Sequence, residues 1–164
     1  MTQRHLGANG LTESEAFARY IISSVNQLLE CLDAVDADGL NWHPNANESN
    51  SLFAIASHTI ANVAENVLGT ACEIPEYQTR NYEAEFGARG SSASVLRDKW
   101  SVVSVEIQKF LSQLDEASLA DTRPHPRRGA ITGREVLLVA ARHAAEHFGQ
   151  AQLTRDLWLA SKTP

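Results

Sequence analysis

Cysteine is scarce in this chain of 164 residues, with two copies, Cys31 and Cys72, that stand in separate segments with no ligand-like spacing. A disulfide framework and a thiolate-based metal site are therefore set aside, and both thiols are expected to be reduced. Long apolar runs are missing as well. Nowhere do 18 apolar residues follow one another, and the opening "MTQRHLGANG" holds no apolar stretch of the kind a signal peptide needs. A cytoplasmic protein with no membrane segment is expected. Basic charge is in deficit, with 14 Lys and Arg against 20 Asp and Glu and a formal net charge of −6, and the basic residues are scattered rather than gathered on one face. The electrostatic footprint of a nucleic-acid binder is absent, so the expected partner is a small-molecule substrate. Strand-like alternation, internal repeats and low-complexity tracts are also lacking.

What is present is helical periodicity. Residues 1–11 read as a flexible N-terminus and 12–160 as one domain. Thr12 with Glu15 forms a capping-box pattern, after which Phe17, Ile21, Val25, Leu28, Leu32 and Val35 recur at alternating spacings of three and four, predicting a helix from Glu13 to about Asp36. Beyond the turn-like "DADGLNWHPNANESNS", Phe53, Ala56, Ile60, Val63 and Val67 define a second helix that should stop at Gly69. The link from Thr70 to Ser92 is longer than ordinary loops and is expected to carry a short helix or to pack over a functional opening. Leu96, Trp100, Val103, Ile107, Phe110 and Leu114 mark a third helix. The segment "ADTRPHPRRGAITG" interrupts the pattern before a second capping box, Thr132 with Glu135, opens a fourth helix reaching about Trp158. Four helices of roughly 20 residues, each about 30 Å long, make an all-α four-helix bundle the economical architecture.

The stretch "RHAAEHFGQAQLTRD" places His143 and His147 on one stripe of the fourth helix with Val136, Ala140, Gln150 and Thr154, in a helix apolar enough to be buried on most sides. Two imidazoles facing inward need partners for four ring nitrogens. A pair one turn apart can present two of them to a single metal ion, and a pair of hydrogen-bonded core histidines is the alternative. On the second helix His58 points roughly 160° from the apolar stripe. It shares its face with Ala54, Ala61, Asn62 and Glu65, either a solvent surface or the wall of a cleft opposite the fourth helix. "HAAEH" also fits the inverted zinc-protease pattern H-x-x-E-H, with Glu146 as base, but only 17 residues follow His147, too few for the downstream carboxylate ligand which that pattern requires.

In order and spacing, "LNWHPNANESNSLFAIASHTIANV" and "TGREVLLVAARHAAEHFGQAQLTRD" resemble the turn, second helix and last helix of the DinB/YfiT-like superfamily. In that superfamily a Trp-x-Pro turn and an Asn-Ser start precede a helix with one histidine, and the last helix carries H-x-x-x-H, then Gly-Gln and an Arg. "RNYEAEF" and the Trp100 helix are compatible with it. The resemblance implies an up-down-down-up bundle whose metal triad, commonly zinc or nickel, maps to His58, His143 and His147. It also implies several activities: transferases and isomerases that use low-molecular-weight thiols such as mycothiol, bacillithiol or glutathione, a metal-dependent hydrolase branch, and members that serve as stress-related bundles with no settled reaction. In the transferases the metal would hold the cofactor sulfur as thiolate; in a hydrolase it would activate water. Glu65 and Glu146 are the candidate catalytic bases, and Asn62 and Gln150 the candidates for orienting cofactor or substrate. Arg127 and Arg128 offer cationic contacts to an acidic ligand, Arg155 reads as a helix C-terminal charge, and a homodimer through helix faces fits the family.

The charge balance carries its own test. Phosphate contacts supply most non-specific affinity for nucleic acid, and this chain has no basic stripe to make them. Fluorescence anisotropy at physiological salt should show no DNA binding, and a micromolar or tighter complex would contradict this reading.

Overall fold

The computed structural model describes residues 10–47 and 49–162. Of the segment expected to be flexible, residues 1–9 lie outside them. Helix α1 (Glu13–Asp33) opens on the capping box at Thr12: the Glu15 amide donates to Thr12 Oγ1 at 3.3 Å, and the Thr12 amide donates to Glu15 Oε2 at 2.8 Å. It ends before the expected Asp36 because Asp36 caps a helix of its own, α2 (Ala37–Asn41), accepting from the Gly39 amide at 2.9 Å. Helix α3 (Leu52–Val63), capped by Ser51, does not stop at Gly69 but continues as a π-helical stretch over Ala64–Ala71. Gly69 serves close approach instead of termination. A Cβ there would lie 2.7 Å from the Tyr77 carbonyl oxygen.

The link to the third long helix carries a 3₁₀ turn, Pro75–Tyr77, and a short helix, α4 (Tyr82–Phe86), whose cap is Asn81 accepting from the Ala84 amide at 3.0 Å. Its far end is clamped to α2. The Asn41 side chain donates to the Gly90 carbonyl at 2.8 Å and accepts from the Gly90 amide at 3.1 Å. Helices α5 (Ser94–Leu111) and α6 (Glu116–Ala120) follow, then an antiparallel hairpin of β1 (Thr122–His125) and β2 (Gly129–Thr132), with Thr122 opposite Thr132 and His125 opposite Gly129. The sequence reading had no strand here. Four residues are too few to display alternation, and Pro124 fits because a two-stranded ribbon consists only of edges. Helix α7 (Gly133–Lys162) starts from the expected box, with the Thr132 amide donating to Glu135 Oε2 at 2.8 Å and the Glu135 amide to Thr132 Oγ1 at 3.2 Å.

The four long helices form the expected all-α bundle, in which α1 and α3 each pack against both α5 and α7. Ile21, Val25 and Leu28 of α1, Ile60 and Val63 of α3, Ile107 and Leu111 of α5, and Val136, Leu137 and Ala140 of α7 fill its centre. Trp100 joins them and donates its indole N–H to Asn26 Oδ1 at 2.7 Å, satisfying the one polar atom it buries. Phe17, Val35, Phe110 and Leu114, expected in the core, are partly buried at its margin. Helix α7 is less enclosed than its composition suggested: Leu138, Leu153 and Leu157 are exposed. Among the described residues no helix is long and apolar enough to cross a membrane.

Gly90 offers a direct test of this packing. A Cβ at that position would fall 2.2 Å from the ring of buried Phe53. The substitution Gly90→Ala should cost about 1–3 kcal/mol through forced displacement of the ring, read as a lower urea midpoint; an unchanged midpoint would show that the ring has room to yield.

Candidate metal centre

Three imidazoles meet where α3 packs on α7. His143 and His147, one turn apart, point to the same side of α7, and His58 reaches them from α3, so the face of α3 that sequence left open between solvent and cleft is turned inward. The Nε2 atom of His143 lies 3.3 Å from His58 Nε2 and 3.1 Å from His147 Nε2. One ligand nitrogen from each residue falls within 4.8 Å of the others, a group that could hold a metal ion. Two nitrogens bound tetrahedrally to zinc at about 2.0–2.1 Å stand roughly 3.3 Å apart, which is the spacing found.

The outer nitrogens bear on which way the rings are protonated. His58 Nδ1 lies 3.1 Å from Glu85 Oε2, which only accepts, and 3.2 Å from Arg80 Nη2, which only donates; with the proton on Nδ1 the ring donates to the carboxylate. His147 Nδ1 likewise donates to Gln150 Oε1 at 2.6 Å. In these tautomers both Nε2 atoms turn bare lone pairs toward His143 Nε2. A proton on His143 Nε2 can be donated to one of them, which leaves the other lone pair without a donor unless a cation sits between the rings. His143 Nδ1 is itself buried without a partner among the described residues. The donor set thus fits a divalent ion held by three neutral imidazoles, two of which are fixed from behind by an acceptor.

The surroundings keep the rings neutral. Burial pushes the His58 pKa down to about 4, reinforced by His147 and Arg80, and the His143 pKa down to about 3, reinforced by His147 and His58. Burial also lowers that of His147. The Phe86 ring stacks on His58 with centroids 4.3 Å apart. Arg80 organises the outer layer: Nε donates to Glu85 Oε1 at 2.9 Å, Nη2 to Glu85 Oε2, and Nη1 to Glu65 Oε2 at 3.1 Å.

Of the carboxylates singled out in sequence, Glu65 is buried and bound by Arg80, with Tyr82 Oη at 3.4 Å and Arg127 Nη2 at 3.6 Å. Glu146 lies on the outer face of α7, its side chain 53% exposed and 3.4 Å from Arg142. Asn62 is buried one turn from His58, accepting at Oδ1 from Asn66 Nδ2 at 3.0 Å; Asn66 Oδ1 in turn accepts from His125 Nε2 at 2.9 Å. Gln150 contacts His147 directly, whereas Arg155 pairs with Asp156 away from the three histidines. The sequence reading missed Arg80, Tyr82, Glu85 and Phe86. Their signal was the helix expected in the long link: Asn81 as cap with Tyr82, Glu85 and Phe86 at spacings of three and four.

A helical bundle in which one histidine of an inner helix meets an H-x-x-x-H pair on the last helix defines the class of this protein. The family model of the DinB superfamily matches residues 22–151, and the chain belongs to that superfamily. No curated protein matches the sequence. Among solved structures, the crystal structure of a conserved protein from Enterococcus faecalis has a TM-score of 0.73 at 17% identity, covering 92% of this chain and 99% of that one. At that identity the likeness is one of fold.

The neutral rings make stability depend on pH in a definite direction. As pH falls below 6.5 the histidines of the unfolded chain take up protons, while His58 and His143 in the folded chain resist until about 4 and about 3. Their contribution is complete above pH 6.5 and drains away toward pH 3. The melting temperature of the metal-free protein should fall across that window, and less steeply in His143→Ala; parallel curves for the two proteins would contradict the buried neutral assignment.

Proposed function

We propose that the protein is a metal-dependent enzyme in which His58, His143 and His147 hold one zinc or nickel ion and a low-molecular-weight thiol of the mycothiol, bacillithiol or glutathione kind serves as cofactor for group transfer to a small-molecule substrate. An ion bound there supplies Lewis acidity and stabilises a sulfur ligand as thiolate, a nucleophile at neutral pH. The observation that carries the reading is that, among the described residues, the carboxylates singled out near the rings each have a partner. Glu85 accepts from His58, Glu65 is engaged by Arg80, and Glu146 pairs with Arg142 on the outer face. Hydrolysis is aided by a carboxylate free to take a proton from water, whereas a thiol can release its proton to bulk solvent on becoming thiolate.

The remaining residues bind and orient. Glu85 and Gln150 hold the outer protons of His58 and His147, directing their inner lone pairs to one point. Phe86 covers one face of His58 and keeps water from that side. Glu65 and Glu85 are matched in charge by Arg80 and Arg127, so a divalent ion on three neutral rings leaves an excess of two positive charges that favours an anionic ligand. The cytoplasm is the expected setting, since there both cysteines and a thiol cofactor stay reduced.

Cobalt substitution tests the reading, because thiolate ligation adds a charge-transfer band. The purified protein should bind one divalent ion per chain; alanine at any of the three histidines should weaken binding sharply, and Glu85→Gln by about 10–100-fold. Millimolar bacillithiol, mycothiol or glutathione should change the cobalt spectrum. A spectrum unmoved by all three, together with ester or amide hydrolysis abolished by Glu65→Gln or Glu146→Gln, would replace the transferase by a hydrolase.

A further inference from the structure

The hairpin between β1 and β2 delivers one cation to the edge of the metal centre. Arg127 lies in its turn with a side chain 52% exposed and one edge 3.6 Å from Glu65 Oε2, whereas the Arg80 side chain is 3% exposed and bonded to two carboxylates. Its Nη2 donates to Tyr82 Oη at 2.6 Å, and its guanidinium lies 4.8 Å from the centroid of the Tyr82 ring. Tyr82 is held in turn by Arg80, 4.3 Å from the ring centroid, and by Glu65 Oε2, 3.4 Å from its hydroxyl. The inner edge of the Arg127 guanidinium is thus fixed on an aromatic ring and a phenol. Among the described residues no other hydrogen bond is made by its remaining N–H donors, and a planar guanidinium presents five in all.

Tyr82 and Phe86 are four residues apart on α4 and share one face, with about 5–6 Å between their Cβ atoms. Phe86 stacks on the metal-site ring of His58, and Tyr82 carries Arg127. Both aromatics are partly exposed. A strip of aromatic surface one helical turn long therefore joins the three histidines to a half-exposed, pre-oriented guanidinium.

We infer that Arg127 docks a carboxylate of the bound thiol or substrate, whose body lies along Phe86 and Tyr82 while its other end reaches the histidines. The class of ligand is a small organic acid with a metal-binding head, a thiol above all, and a carboxylate about one helical turn or more away. Orientation follows from the two ends. The charged tail selects against neutral thiols, and the aromatic strip favours a flat or apolar body between them. This assignment rests on the metal reading for the head of the ligand but not for its tail.

The test uses both forms of the protein. Cobalt-loaded protein is titrated with ω-mercaptocarboxylates of rising chain length and with the ω-mercaptoalcohols of equal length. At the length that spans the strip, the acid should bind about tenfold more tightly than the alcohol, the scale of one charge-assisted hydrogen-bonded pair. Arg127→Gln should bring the two within about twofold while leaving alcohol affinity and cobalt stoichiometry unchanged, on the same scale. Arg127→Lys should recover part of the preference, since it restores the charge without the planar fork, and Arg128→Gln should keep all of it. Metal-free protein titrated with glutarate and followed by NMR should show saturable shifts at Tyr82 that Arg127→Gln removes. A preference that survives in Arg127→Gln, or none in the wild type, overturns the docking role. If cobalt fails to bind, the metal reading falls alone, and glutarate decides: saturable shifts lost in Arg127→Gln sustain the carboxylate site, and their absence in the wild type removes it.

Discussion

Everything around the centre follows from three imidazoles being turned toward one another in the contact between α3 and α7. Ring nitrogens withdrawn from water need partners, and neutral rings aimed nitrogen to nitrogen at 3.1 and 3.3 Å do not supply enough protons to satisfy one another. The bundle answers part of this demand from outside, through Glu85 behind His58 and Gln150 behind His147, and leaves His143 Nδ1 without a partner among the described residues. The inner part stays open to a cation. The arrangement also makes the site sensitive to its supports, because loss of an outer acceptor lets the proton move to Nε2 and removes the lone pair that would bind.

Glu85 is a costly support, being a carboxylate withdrawn from water. Arg80 offsets that cost from the same short segment by bonding both Glu85 oxygens, and it extends the network to Glu65 on the π-helical continuation of α3. The long link is thereby joined to the bundle through ions at one end and through Asn41 and Gly90 at the other. A segment anchored at both ends can hold α4 against His58 although it contributes few residues to the apolar core. Its length is needed because it must leave α3, supply Arg80 and Glu85 to the outer layer, and return to start α5.

The four long helices were legible in sequence because their information is local: Ile21, Val25 and Leu28, or Val103 and Ile107, state a period of 3.6 without reference to any other segment. The H-x-x-x-H pair is local in the same sense. His58 was legible only as an alternative, since periodicity gives its direction from the apolar stripe but not which helix lies opposite. The partners of the rings were not legible at all. Arg80 meets Glu65 across 15 residues and His58 across 22, and Glu85 meets His58 across 27, so no spacing rule could pair them. The π-helical stretch and the hairpin escaped for a different reason: the first keeps the apolar content of an ordinary helix, with Val67, Leu68 and Ala71 all buried, and the second is too short to alternate.

The outer network also bears on which chemistry the centre supports. A carboxylate shared between a buried arginine and a tyrosine hydroxyl, as Glu65 is, has its Oε2 directed at fixed donors, and turning that oxygen toward a reacting proton would give up one of the two carboxylates that balance Arg80. Glu85 could act as a base only by releasing His58, and with it the orientation of a ring on which the centre depends. The residues therefore divide their work by position. The inner face offers neutral nitrogen donors, the middle layer spends its carboxylates on holding those donors in place, and the outer edge presents positive charge at Arg127. Such a division would suit a nucleophile whose proton passes to bulk solvent and is not taken up by a residue of the site.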